Sequence, residues 1–375
     1  MMPKPHGDNL VNNFINLSKI DNDLFVLDVD LKLKKDIENI SCGIFSPLKG
    51  FVSEDDFNSI LKRGRLSNDL PWTVPIMLDV DNDLAKKIKD AKEIALQYNG
   101  NVFGILQVKG LYGFDKLKSA KLVFQTDDPS HPGVYTYLTM KDTLVEGDVK
   151  ILDTIDKTDK FRLTPSSVRE EINSHRWKSV VAFQTRNVPH VAHEMLQKAV
   201  LNIYDGLFIN PLMGKKKTGD FKDEVILKSY QSLINNYYPR SKIIFSTLHT
   251  EMKYAGPKEA IHHAIMRKNF GCSHIIIGRD HAGVGNYYHP FAAHDIFKEY
   301  PDLGIEPIFF PAFYYCKKCS NFANERICPH DSNYKEELSG TKMRKMFSSG
   351  LLPPAHLMRT EISQIISSYK NPFVE

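Results

Sequence analysis

Short apolar stretches separated by turn residues fill the first part of the chain. LFVLDV, GIFSP, WTVPIMLDV, VFGILQV, KLVFQT and GVYTYLTM are bounded by Gly, Pro, Asn or Asp, the punctuation of a β-rich unit. One helical stretch, 84–95 (LAKKIKDAKEIA), interrupts them. Thr164-Pro165-Ser166 marks a boundary, and Ser166 or Ser167 is positioned to cap a helix over VREEI. The period then changes. Continuous apolar runs at 180–183, 207–210, 243–245, 275–278 and 305–310 alternate with helical patterns near 190–203, 221–236 and 257–270. That alternation predicts a parallel sheet covered on both faces. Gly271 is suited to end the third helix, and 246–257 reads as a long loop. From Cys316 onward the pattern breaks up again, closing on an amphipathic helix near 355–369. The expected class is therefore α/β. A mostly β domain spans 1–165, a Rossmann-like domain 166–315 and a small C-terminal unit 316–375.

Polar chemistry gathers where the apolar runs stop. QTRN follows the first, PLMGKKKTGD the second, TLHTEMKYAGP the third and GRDHAGVG the fourth. In a doubly wound sheet those positions are the carboxyl ends of the strands, where ligands bind. After QTRN, Pro189 stands where a first helical turn could begin, and apolar residues follow at helical spacing (Val191, Met195, Ala199). Such a turn aims backbone N–H groups and the positive helix end at an anion. Arg186 adds a fixed charge, and Gln184 adds a neutral donor suited to a tetrahedral oxyanion. His190 and His193, three apart, share one side of the turn. They could be a metal pair, but Gln197 occupies the next turn, so phosphate contact is the better reading. In GRDHAGVG the small residues Ala282 and Gly283 let backbone N–H groups approach an anion. The run Lys215, Lys216, Lys217 is expected to be solvated and to draw anions inward. Arg344 reads equally as a helix-surface charge or as part of the site.

With 375 residues, 42% hydrophobic and 25% charged, the chain has ample core and ordinary composition. A net charge of +4, from 49 basic and 45 acidic residues, calls for neither nucleic acid nor an anionic membrane. No apolar run approaches a membrane span, and the first residues lack the core of a secretion signal, so the cytoplasm is expected. Five cysteines argue against a disulfide framework. Cys42 and Cys272 read as buried small hydrophobes. Cys316, Cys319 and Cys328 fall close together, and with His330 they form a set suited to a structural zinc. Three free thiols in a loop is the plainer alternative.

QTRN followed by H-x-x-H, with GRDHAG downstream, resembles ATP sulfurylase (sulfate adenylyltransferase). Further fragments match in order: GIFSPLKGF at 43–51, LPWTVPIMLDV at 70–80, PLMGKKKTGD at 211–220, EMKYAGPKEA at 251–260, RKNFGC at 267–272 and SGTKMR at 339–344. The resemblance implies a barrel-like, PUA-like N-terminal domain and a homodimer. It also implies that ATP and sulfate give adenosine 5′-phosphosulfate (APS) and pyrophosphate, with magnesium on the phosphates. On that basis Gln184, Arg186 and the backbone of Ala282 would hold sulfate. Thr185, Arg186 and Asn187 would form the catalytic loop, with His190 and His193 on the triphosphate. ATP would also touch Gln184, Asn187, Gly278, Arg279, Asp280 and His281, with Phe313 near the adenine. Two departures from the family pattern stand out: Val188 precedes Pro189, and Asn210 replaces a frequent histidine. Another nucleotidyltransferase of the H-x-G-H type is the runner-up, although Ala192 stands where that motif has glycine. A zinc-containing nucleic-acid-binding protein is the alternative from another class, resting on Tyr314, Tyr315, Lys317, Lys318 and a pI near 8.5.

Overall fold

In the computed structural model, which describes residues 2–16, 23–152 and 159–375, the N-terminal half is built on one mixed sheet. Its strands are β1 (Phe14–Ile15), β2 (Val26–Asp28), β3 (Gly50–Phe51), β4 (Asp79–Val80), β5 (Glu93–Tyr98), β6 (Asn101–Gly113) and β7 (Thr143–Leu152). The order is β1-β7-β6-β5-β2, with β3 and β4 also pairing with β7. Among the described residues this path is open, so the sheet does not close into the expected barrel.

Helices α1 (Leu31–Ser41), α2 (Glu54–Arg63), α3 (Asn82–Ile88), α4 (Lys116–Phe124) and α5 (Pro132–Thr139) accompany that sheet. Three of them correct the sequence reading. KLVFQT and GVYTYLTM, read as strands, lie mainly in α4 and α5. Their starts explain why. Asp115 caps α4 by accepting from the Lys118 N–H, and His131 caps α5 with Pro132 in the first turn. These caps outweigh the β preference of the aromatic and branched residues. The helix expected over 84–95 starts under the Asp81 cap and ends at Ile88, and Glu93 already begins β5.

The second half runs α6 (Pro165–Ser174), β8 (Val180–Thr185), α7 (Val191–Leu201), β9 (Gly206–Met213), α8 (Asp223–Tyr237), β10 (Ile243–Phe245), β11 (Leu248–His249), α9 (Pro257–Asn269), β12 (His274–Ile277), α10 (Ala292–Asp295) and β13 (Glu306–Phe309). Thr164, rather than Ser166 or Ser167, caps α6, because Pro165 takes the first helical position. The long loop after β10 contains the two-residue β11. Strand order is β10-β9-β8-β12-β13, with every pairing parallel. Numbered along the chain without β11, that order is 3-2-1-4-5, with the reversal between β8 and β12. Every residue of β9 is buried. Phe208, fully buried, meets Phe270 at the end of α9 with ring centres 5.1 Å apart. Truncating such a ring to Ala costs about 3–5 kcal/mol.

The C-terminal segment forms an antiparallel sheet of β14 (Tyr314–Cys316), β15 (Asn321–Ala323) and β16 (Lys335–Glu337), then α11 (Gly340–Ser348) and α12 (Thr360–Ser367). It is woven into the preceding domain. Met343, Leu357, Met358, Ile362 and Ile366 share a core with Phe183, Val188 and Leu207. Arg359 grips Glu194 of α7 through two hydrogen bonds of 2.8 and 3.0 Å, and the Val191 N–H donates to the Leu357 carbonyl at 3.0 Å. Among the described residues, no helix is long and apolar enough to cross a membrane.

Candidate active site

β8 delivers Gln184 and Thr185 to the carboxyl edge of the sheet, directly beside the strand-order reversal. The chain then turns tightly. The Asn187 N–H donates to Thr185 Oγ1 at 3.1 Å, a local side-chain turn that holds the QTRN loop against the strand. Arg186 is half-buried, and its Nη1 donates to the Tyr254 hydroxyl at 3.2 Å, with the guanidinium 5.7 Å from that ring. Lys217 lies over the same ring at 4.4 Å. Two cations thus converge on one phenol. Burial, followed by repulsion from Arg186, lowers the Lys217 pKa.

The first turn of α7 differs by one residue from expectation. His190 is the cap and Val191 the first helical residue, so Pro189 lies just outside the helix. His190 Nδ1 accepts the His193 N–H at 3.4 Å, which leaves the proton of a neutral ring on Nε2. The two imidazoles stack, with centres 3.8 Å apart and planes inclined by 19°. Burial pushes the His193 pKa down to about 4 and holds His190 well below its ordinary range, with His193 adding to the shift. Two uncharged N–H donors therefore stand beside the positive end of the helix. The Ala192 between them is buried.

The loop after β12 flanks the reversal from the other side. Asp280 (φ +54°) and Ala282 (φ +58°) take the left-handed conformation, which turns the backbone tightly around GRDHAG. A Cβ at Gly283 would lie 2.0 Å from Asp280 Oδ1, so glycine leaves the Asp280 carboxylate where it is. Gly278 and Arg279 are exposed. Burial lowers the His281 pKa to about 3, with His263 next in effect. The two loops meet: Gln184 Nε2 and His281 Nε2 lie 2.8 and 3.0 Å from the same atom, Nδ1 of His263. Phe313 follows β13, half-buried, with Phe310 6.1 Å away.

Several participants were absent from the sequence reading or left open in it. Tyr254 carried no signal beyond its place in a matching fragment, and His263 lay outside every fragment. Arg344 on α11 reaches back to the site, with Nη1 2.6 Å from Asp220 Oδ1 and 3.5 Å from Asn187 Oδ1. Gly340 packs close to Asn187, where a Cβ would sit 3.2 Å from the side-chain amide, a tight contact. The lysine run divides. Lys215 and Lys217 are exposed, whereas Lys216 is largely buried and pairs with Asp223 at 2.9 Å. Asn210, in the usual histidine position, is buried and donates to the Ser246 carbonyl. A cavity of about 980 Å³ opens between the N-terminal sheet and this domain, lined in part by Asp30, Lys32, Lys141 and Lys253. It borders the QTRN loop through Lys217 and Tyr254. Its mixed charge does not single out an anion, and the strand-end loops remain the better site.

Residues 159–369 match a family model described as ATP-sulfurylase. The chain belongs to the ATP-sulfurylase family. Residues 3–154 match a PUA-like domain. Among curated relatives, the chain is 48% identical to a sulfate adenylyltransferase of Ignicoccus hospitalis, over 100% of both chains. It is also 48% identical to one of Cenarchaeum symbiosum, over 99% of this chain and 98% of the other, and 41% identical to one of Carboxydothermus hydrogenoformans, over 89% of each. Among solved structures it resembles the hexameric APS kinase from Thiobacillus denitrificans, with a TM-score of 0.78 and 21% identity. That likeness covers 99% of this chain and 69% of the other, and it speaks to the fold.

Family membership removes the H-x-G-H runner-up. The nucleic-acid reading loses its aromatic platform as well, since Tyr314 is buried and Tyr315 packs on Phe322 and His356.

The cysteine cluster has the geometry of a metal centre. The ligand atoms of Cys316, Cys319, Cys328 and His330 all lie within 4.8 Å of one another. A tetrahedral zinc, about 2.3 Å from sulfur and 2.0 Å from nitrogen, needs S···S near ~3.8 Å and S···N near ~3.5 Å. Here Cys319 and Cys328 sulfurs are 3.8 Å apart, and His330 Nδ1 lies 3.3, 3.4 and 3.6 Å from the sulfurs of Cys319, Cys316 and Cys328. The His330 backbone N–H helps to hold the Cys328 thiol down to about 6, which favours a ligating thiolate.

Proposed function

We propose that the protein is a sulfate adenylyltransferase, converting ATP and sulfate to APS and pyrophosphate. The observation that supports this best is the pair of loops flanking the strand-order reversal. QTRN lies on one side and GRDHAG on the other, with a neutral histidine stack at the start of α7. A sulfate oxygen attacks the α-phosphorus in line, and the bond from that phosphorus to the bridging oxygen breaks as pyrophosphate leaves. No proton need be moved, so the protein's task is to orient two anions and stabilise the charge passing to pyrophosphate. Gln184 and Arg186 hold sulfate with the Ala282 backbone, while Thr185 and Asn187 shape the loop. His190 and His193 donate to the triphosphate without adding charge, and Gly278, Arg279, Asp280 and His281 take the nucleotide, with Phe313 near its base. Magnesium arrives on the ATP phosphates as part of the substrate.

Cys316, Cys319, Cys328 and His330 hold a structural zinc in this reading. The chain divides near 165 and 316, acts in the cytoplasm and assembles as a homodimer, which analytical ultracentrifugation would test. Pyrophosphate release should depend on sulfate and be absent with phosphate, and molybdate should provoke ATP cleavage. Equal release with phosphate would overturn the assignment.

A further inference from the structure

One buried ring joins the two halves of the site. His263 Nδ1 faces Gln184 on the sulfate side and His281 on the nucleotide side, at 2.8 and 3.0 Å. The opposite nitrogen, Nε2, lies 3.3 Å from Glu259 Oε1, one turn earlier on α9, and both side chains are only 1% exposed. Glu259 is itself fixed. Its Oε1 accepts the Lys253 N–H at 2.8 Å and its Oε2 the Ala255 N–H at 3.0 Å.

The donor and acceptor roles follow from this geometry. A neutral imidazole has one of each. With a Glu259 oxygen 3.3 Å from Nε2, the tautomer that carries its proton there is the favoured one. Nδ1 is then left with a single lone pair, which the nearer Gln184 N–H at 2.8 Å and the His281 Nε2 at 3.0 Å share. An inverted Gln184 amide would set its carbonyl against the lone pair of Nδ1. The relay therefore commits one Gln184 N–H to His263 and leaves the other for an oxyanion.

We propose that His263, oriented by Glu259, is a positioning residue that sets the Gln184 amide and the His281 ring for the incoming anion and nucleotide. This rests on the sulfate adenylyltransferase reading. Partners that orient a metal-ligating histidine typically change activity by about 10–100-fold, and an effect of that order is expected here.

Two amide substitutions separate positioning from packing. His263→Asn returns a polar atom near Nδ1, facing Gln184 and His281. His263→Gln returns one near Nε2, facing Glu259, and loses the contact with Gln184. Sulfate-dependent pyrophosphate release should show kcat/KM for sulfate about 10–100-fold lower in His263→Gln. The loss should lie mainly in the sulfate KM, with most of it restored in His263→Asn at a similar melting midpoint. Equal kinetics in the two variants would overturn the positioning role. If His263→Gln fails to fold, Glu259→Gln keeps the ring but alters the group that orients it. A raised sulfate KM there supports the relay, and an unchanged one overturns it. Wild-type protein without sulfate-dependent turnover would instead overturn the proposed function itself.

Discussion

Arg186 has its charge held in place before any substrate arrives. Its contact with the Tyr254 hydroxyl fixes the guanidinium at the end of β8, so little reorganisation is left for the moment of reaction. Arg186→Ala should lower kcat by about 10²–10³, the usual consequence of losing one preorganised donor, with the melting midpoint unchanged because no core cavity opens. Arg186→Lys should recover little, since an ammonium lacks the planar fork. Near-normal turnover of purified Arg186→Ala at saturating sulfate would refute its role. The histidines make a separate prediction about stability. Burial holds His6 and His193 at about 4, and His262 and His281 at about 3, against about 6.5 in an unfolded chain. Between those values the unfolded state binds more protons, so stability is greatest above about pH 6.5 and falls as pH drops toward 4. Melting midpoints measured from pH 8 to pH 4 should follow that course, and a midpoint that rose on acidification would contradict it.

At the level of elements, what could be read from the chain was local. QTRN, H-x-x-H and GRDHAG are each contiguous and follow apolar runs, so the rim of the sheet was legible from its strands. Helices α4 and α5 were not, because single capping residues overrode the strand-like composition of KLVFQT and GVYTYLTM. Glu259 and His263 look like an ordinary i,i+4 pair on a buried helix, and only folding brings Gln184 and His281 to them. Arg344 was undecidable for the same reason, with 124 residues separating it from Asp220. Its contacts make a prediction of their own. Arg344→Ala should free Asn187 and Asp220 while leaving α11 folded, and lower kcat/KM by about tenfold, near the lower end for a charged hydrogen bond. Steady-state kinetics alongside circular dichroism would test this, and unchanged kinetics would return Arg344 to the role of a surface charge.

Across the whole molecule, the C-terminal segment closes the structure. Its small sheet has little core, and a tetrahedral zinc would supply the cross-link that burial cannot. Protein purified without added metal should contain about one zinc per chain. Cys319→Ser, at an exposed position, should lose that zinc and melt earlier before its turnover changes. Metal-free protein with an undiminished midpoint would remove zinc from the account. Beyond the cluster, the tail returns to the domain. The Gly219 N–H donates to the Val374 carbonyl at 2.9 Å, the Val374 N–H to the Asp220 carbonyl at 2.8 Å, and Phe373 lies 4.9 Å from Phe221. Asp220 is also the partner of Arg344. On a ribosome, β8 and its loop emerge long before the residues that brace them. The nascent chain therefore carries an unbraced strand-end rim until residues 372–374 have emerged, so the bracing of that rim lags behind the folding of the sheet.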